Sequence, residues 1–191
     1  MGGNREIEIK VQIEDSKGLL AFLKRKGTYL GEERQIDEYY SPRHRDFTRE
    51  RPTREWLRLR KEGDKSSINY KNWHYDKDGR SYFCDEYESG VDNAERLEKI
   101  FSALDIKPVV IVDKIRKKWL ADSYEIAIDR VKNLGDFVEV EYKGKAKKEP
   151  RIISREMVAW LRQFKPGKIC RNLVGYPFQL LFPKEVKVEE V

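Results

Sequence analysis

The chain has 191 residues, 39% of them charged, with 40 Lys and Arg against 34 Asp and Glu and a formal net charge of +6. Ten Tyr, eight Phe and four Trp supply core-forming side chains and exclude a disordered chain. A near-balance of acids and bases excludes a general nucleic-acid binder, whereas the mild basic excess suits a small anion. No apolar run approaches a membrane span and the first residues do not form a signal peptide, so the expected location is cytoplasmic. Cys84 and Cys170 are far apart in sequence and lack metal-type spacing, which gives neither a disulfide framework nor a zinc site.

A first strand is predicted over 5–13, followed by a helix with Leu19, Leu20, Phe22 and Leu23, capped by Asp15 or Ser16 and ended by Gly27. Strands follow over 35–41, 55–61, 67–73 and 81–89, with a polar loop over 42–53 and a hairpin turn at Asp78-Gly79. Asp92 or Asn93 opens a second helix with Ala94, Leu97, Ile100, Phe101 and Leu104 on one face. Three more strands are predicted over 109–119, 123–131 and 137–143. A basic loop over 145–151 leads to a third helix over 154–164, striped by Met157, Val158, Trp160 and Leu161. A short apolar segment over 178–182 precedes a charged tail from residue 184, so a single domain is expected over 1–183 and a tail over 184–191.

Alternate residues of a strand share a face. Glu6, Glu8 and Lys10 thus stand opposite Ile7, Ile9 and Val11. The same spacing recurs in Arg58 and Arg60, Asn69 and Lys71, Glu86 and Glu88, Lys114 and Arg116, and Glu139 and Glu141. Single strands carry paired acids or paired bases, which suits a pocket for metal ions and a polyanion. Helices need the apolar face as their partner. The pattern therefore predicts an α+β fold in which an eight-stranded antiparallel barrel has a charged lumen and helices packed outside. Such a lumen is costly unless water, ions or a ligand neutralise it.

The ordered set of motifs resembles the CYTH superfamily of triphosphate tunnel metalloenzymes. Glu6-x-Glu8-x-Lys10 matches its opening signature. Later matches are Asp37-Glu38-Tyr39-Tyr40, Leu57-Arg58-Leu59-Arg60, Tyr70-Lys71, Lys114-Ile115-Arg116, Asp129-Arg130-Val131 and the stretch Gly135-Asp136-Phe137-Val138-Glu139-Val140-Glu141. The resemblance runs over 5–182. The spacing of Ser41-Pro42 and Asp46-Phe47 before Leu57-Arg58 is more similar to the class IV adenylyl cyclase branch than to the thiamine triphosphatase branch. Two departures bear on substrate specificity: Asn72-Trp73 replaces a Gly-Pro after Lys71, and Cys84 stands where many relatives carry Arg.

The resemblance implies an enzyme acting on a triphosphate-containing small molecule, either ATP cyclised to cyclic AMP and pyrophosphate or inorganic, thiamine or nucleoside triphosphate hydrolysed. A non-catalytic polyphosphate- or nucleotide-binding module is a third reading. Lys10, Arg58, Arg60, Lys71, Lys114 and Arg116 supply the cations that a triphosphate needs, with Lys10, Arg58, Lys114 and Arg116 in the catalytic role. Glu6, Glu8, Asp129, Glu139 and Glu141 are hard oxygen donors suited to Mg2+ or Mn2+ rather than zinc. Glu86 and Glu88 fit metal ligands or salt-bridge partners equally, and Asp37, Tyr39 and Tyr40 fit interior support or packing. His44 and His74 lack a catalytic context. No membrane or specific nucleic-acid partner is expected, and a homodimer is compatible with the sequence.

Overall fold

The computed structural model describes residues 7–75, 81–144, 149–172 and 174–191. Glu6, the Asp78-Gly79 turn and Lys145 of the basic loop lie outside them. The chain forms two compact units, one of residues 1–33, 114–175 and 184–191, the other of residues 34–113 and 176–183.

The first unit holds β1 (Glu8–Ile13), α1 (Lys17–Lys26), β7 (Tyr124–Val131), β8 (Gly135–Tyr142), α3 (Pro150–Arg162), β9 (Ile169–Asn172) and β10 (Val188–Glu190). The second holds β3 (Glu55–Glu62), β4 (Lys65–Tyr75), β5 (Ser81–Gly90), α2 (Ala94–Ala103) and the short α4 (Tyr176–Leu181). Two long strands belong partly to each unit: β2 (Thr28–Pro42) passes from the first to the second at Arg34, and β6 (Ile106–Ala121) returns to the first at Lys114.

The sheet order is β10-β9-β1-β8-β7-β6-β2-β3-β4-β5. Every register described is antiparallel. The expected alternation holds, whereas the expected eight-stranded closure is not confirmed: among the described residues the sheet has ten strands and runs from β10 to β5. The two added strands come from the segment after α3 and from the charged tail. Residues 169–170 pair with Gln12 and Ile13, and Val188 to Glu190 pair with β9.

In the first unit Ile9, Val11, Ile126, Ile128, Val138 and Val140 form one face, on which Leu19 and Leu23 of α1 and Ile153, Met157 and Leu161 of α3 are buried. Burying each such side chain contributes about 1.5–3 kcal/mol. Trp160 completes this core and donates its indole N–H to Asp122 at 2.9 Å. Ser16 sits at the N-cap of α1 without a side-chain capping bond, whereas the Asp15 carboxylate accepts from the Lys17 N–H at 2.7 Å. Lys24, Arg25 and Lys26 complement the negative end of the helix.

In the second unit Tyr40, Leu59 and Phe101 form the core, flanked by Leu57, Ile68, Val91 and Leu97. Asn93 caps α2 by accepting from the Arg96 N–H at 2.8 Å. Ile100 and Leu104, expected on the buried stripe, are exposed instead; a ten-residue helix presents only Phe101 fully to this small core. Among the described residues no helix is long and apolar enough to cross a membrane.

Candidate functional site

Each unit has a charged face opposite its helix-packed face. In the first unit register aligns Glu8 with Glu141 and Lys10 with Glu139 across β1 and β8. It aligns Glu125 with Glu141 across β7 and β8, and Asp129 with Arg116 across β6 and β7. Alternation then puts Lys114 on the same face.

The centre of this face is a chain of ion pairs. Lys10 Nζ lies 2.9 Å from Glu139, and Arg116 reaches the same carboxylate at 3.2 Å. Arg116 also donates to both oxygens of Asp129 at 2.7 Å each, and Lys114 Nζ stands 3.9 Å from Asp129. Asp129 and Lys114 are almost fully buried. Two-point pairing fixes the plane of the Arg116 guanidinium. Asp129 and Glu139 therefore orient bases in this structure, one of the roles open to them in the sequence.

Burial is the largest influence on Glu139 and pushes its pKa up. Lys10, Arg116 and Lys114 overcome it and hold the carboxyl at about 2. Further along, just past β8, Lys143 pairs with Glu141 at 2.6 Å and with Glu125 at 3.7 Å. Glu8, Glu141 and Glu125 thus form a row on three neighbouring strands. Like charges placed opposite one another repel, which favours a cation there. The donors are hard oxygens and suit Mg2+. Among the described residues, however, no three Asp, Glu, His or Cys side chains converge as an ion-holding group.

The second unit repeats the logic with different residues. Arg60 pairs through two points with buried Asp37 at 2.6 and 2.8 Å. Lys71 meets Glu86 at 3.1 Å, and Asn69 donates to Glu86 at 2.7 Å and to Glu88 at 2.9 Å. Burial raises Glu86, but Asn69, Lys71 and Arg58 bring the net shift below the ordinary carboxylate range. Arg58 reaches Glu88 only at 3.6 Å, and its Nε is buried without a hydrogen-bond partner among the described residues. Tyr39 shares this face with Arg58 in register; burial first, then Asp37, pushes its hydroxyl up to about 12.

Glu86 and Glu88 are salt-bridge partners here, and Asp37 is an interior support. His74 is more than a solvated residue, since its Nε2 lies 2.8 Å from Asp85. His44 lies in an exposed turn of 3-10 helix, Arg43–Arg45. Glu125 and Asn69 were not singled out as site residues in the sequence. Glu125 was legible there, since it stands four residues before Asp129 and hence on the same face; Asn69 shares the spacing of Lys71.

A CYTH domain model matches residues 4–169. The chain belongs to the CYTH family. A protein of Methanocaldococcus jannaschii, named as a candidate adenylate cyclase, is 34% identical over 137 residues, which is 71% of this chain and 75% of that one. Two solved structures share the fold. One, a Pyrococcus horikoshii OT3 protein, has a TM-score of 0.68 at 23% identity and covers 93% of this chain and 99% of its own. The other, a Hippeastrum candidate adenylyl cyclase described as having a dominant triphosphatase activity, has a TM-score of 0.65 at 13% identity and covers 96% and 98%. Family membership and the candidate cyclase relative support an enzyme without fixing its reaction.

Proposed function

We infer that the chain is a Mg2+-dependent enzyme that acts on a triphosphate by in-line displacement at phosphorus, cyclising ATP to cyclic AMP and pyrophosphate. The observation that carries this reading is Arg58: beside its Tyr39 hydrogen bond and one long carboxylate contact, its buried Nε has no hydrogen-bond partner among the described residues and can serve an outside acceptor. Phosphate oxygen is the acceptor that matches it in charge and geometry.

The chemistry then divides among the chain's own residues. Lys10, Arg58, Arg60, Lys71, Lys114 and Arg116 bind phosphate oxygens and neutralise the charge that grows on the leaving group. Asp37 and Asp129 hold Arg60 and Arg116 in fixed planes, so these donors need no reorganisation during reaction. Glu8 and Glu141, with Glu6 and Glu139, would hold the metal ion. Mg2+, when bound, withdraws charge from phosphate oxygens and assists the displacement. In the cyclase reaction the ribose 3′-hydroxyl attacks the α-phosphorus, its proton is lost and pyrophosphate departs.

A second reading is hydrolysis, in which water attacks the terminal phosphorus and orthophosphate leaves. It is supported by the shared fold with the Hippeastrum protein and its described triphosphatase activity. Incubation with ATP and with inorganic triphosphate, each with Mg2+ or Mn2+, separates the two. Cyclic AMP with pyrophosphate supports the first, orthophosphate the second. Binding of both compounds without turnover of either refutes an enzyme.

A further inference from the structure

On the helix-packed side of the first unit, α3 and β9 border an open cavity of about 630 Å3. Its apolar lining runs from buried Ile9 and Val11 through half-buried Val158 and Val191 to exposed Ala159 at the mouth. Its rim is formed by Arg151, Arg155, Arg162 and Arg171, with Ser154. The three α3 arginines stand at positions i, i+4 and i+11, a stripe along one face.

Arg162 donates to a main-chain oxygen of Val191, the last residue of the sequence. Arg151, Arg155 and Arg171 form no ion pair among the described residues. Glu189 stands opposite Arg171 in register without reaching it as an ion pair. This contrasts with other exposed arginines of the chain: Arg34 and Arg130 each hold a carboxylate through two points. The first turn of α3 carries no acid, and Glu149 at its N-cap makes no side-chain capping bond. The positive end of the helix therefore adds to the field of Arg151 instead of opposing it. Clustered guanidiniums repel one another unless an anion lies among them.

We propose that this cavity is a binding site for an amphipathic phosphate monoester, its apolar body on the Ile9, Val11 and Val158 floor and its dianionic head among Arg151, Arg155 and Arg171. Three guanidiniums with no ion pair among the described residues call for more than one negative charge, which favours a phosphate over a carboxylate. The volume falls in the range of about 300–1,000 Å3 typical of small-molecule sites. The charge also opposes a second copy of this chain docked symmetrically here, since it would bring arginines against arginines. The assignment is independent of the reaction at the charged face.

Decyl phosphate below its micelle-forming concentration is the probe, with binding followed by calorimetry. One molecule should bind per chain and remain bound in saturating tripolyphosphate. The Arg155→Ala/Arg171→Ala double variant should bind it at least tenfold more weakly while holding tripolyphosphate unchanged. Ala159→Trp, which fills the mouth and keeps every charge, should also lose it. Inorganic phosphate and 1-decanol should each bind at least tenfold more weakly than the monoester. Displacement by tripolyphosphate, equal binding by both variants, or equal affinity for 1-decanol would overturn the site. Recruitment to phosphatidic acid vesicles without binding of monomeric decyl phosphate would also overturn it, in favour of a membrane surface.

Discussion

Glu139 shows how a buried acid can depend on its neighbours for its charge. Its carboxyl is held at about 2 against an ordinary value of 4.5. The folded state binds the proton less readily than the unfolded chain, so this contribution is fully present above pH 4.5 and lost as pH falls through 2. A difference of that size corresponds to about 3 kcal/mol. Urea unfolding from pH 5 to pH 2 should therefore show a shallower acid decline in Glu139→Gln than in the parent, and equal declines would remove Glu139 from this role. Arg116→Ala should act differently, because it removes the two-point partner of buried Asp129; breaking such a pair costs about 3–5 kcal/mol. Loss of phosphate binding in that variant would be confounded with unfolding. Arg58→Ala is the cleaner test, since Glu88 is half exposed and can turn to water. It should weaken tripolyphosphate binding by about 1.5–3 kcal/mol with little change in melting temperature. An unchanged dissociation constant measured by calorimetry would discount Arg58 as a phosphate donor.

At the scale of elements, what was readable in the sequence was the set of faces. Period-two alternation in β1, β3, β7 and β8 placed Lys10, Arg58, Arg60, Asp129, Glu139 and Glu141 on the charged side before any coordinates, because each strand covers one apolar face with helices. The first half of β2 was not readable: Tyr29, Leu30 and Gly31 break the alternation, and Tyr29 and Leu30 remain exposed in the fold. Nor were β9 and β10, which at four and three residues are too short for a period to register and exist through pairing alone. A neighbour hidden from the sequence also decides the sign of a helix substitution. Gly18 lies inside α1, where Ala would ordinarily gain about 1 kcal/mol in helix propensity. A Cβ at this position would meet the Phe164 carbonyl oxygen at 2.2 Å. Backbone cannot move aside as a side-chain tip can, so Gly18→Ala should destabilise by about 1–3 kcal/mol. A rise in melting temperature would show that α1 slides freely over that turn.

For the whole molecule, alternation names the faces of a sheet but not which edge meets which, and that is why the sequence carried the faces further than it carried closure. Edges are decided by residues far apart in sequence, here Gln12 with Cys170 and Arg171 with Glu189. Charge is organised at the same scale. A net +6 on a chain with 34 acids leaves a small cationic surplus, which favours a small polyanion without making the whole surface sticky. Tripolyphosphate should consequently stabilise the folded state by mass action, by about 2.7 kcal/mol at a hundred times its dissociation constant. For a chain of this length that is a rise of roughly 5–10 °C in melting temperature. The rise should shrink between 50 and 500 mM NaCl, since added ions screen the attraction between exposed charges. Mg2+ alone should shift melting little, because it keeps its waters until phosphate oxygens complete its shell. Mg2+ and tripolyphosphate together should exceed the sum of their separate shifts, and chelation should return the curve to that of tripolyphosphate alone. Additive shifts would mean that metal and phosphate bind without sharing ligands, and a melting curve indifferent to tripolyphosphate would dismiss the triphosphate reading.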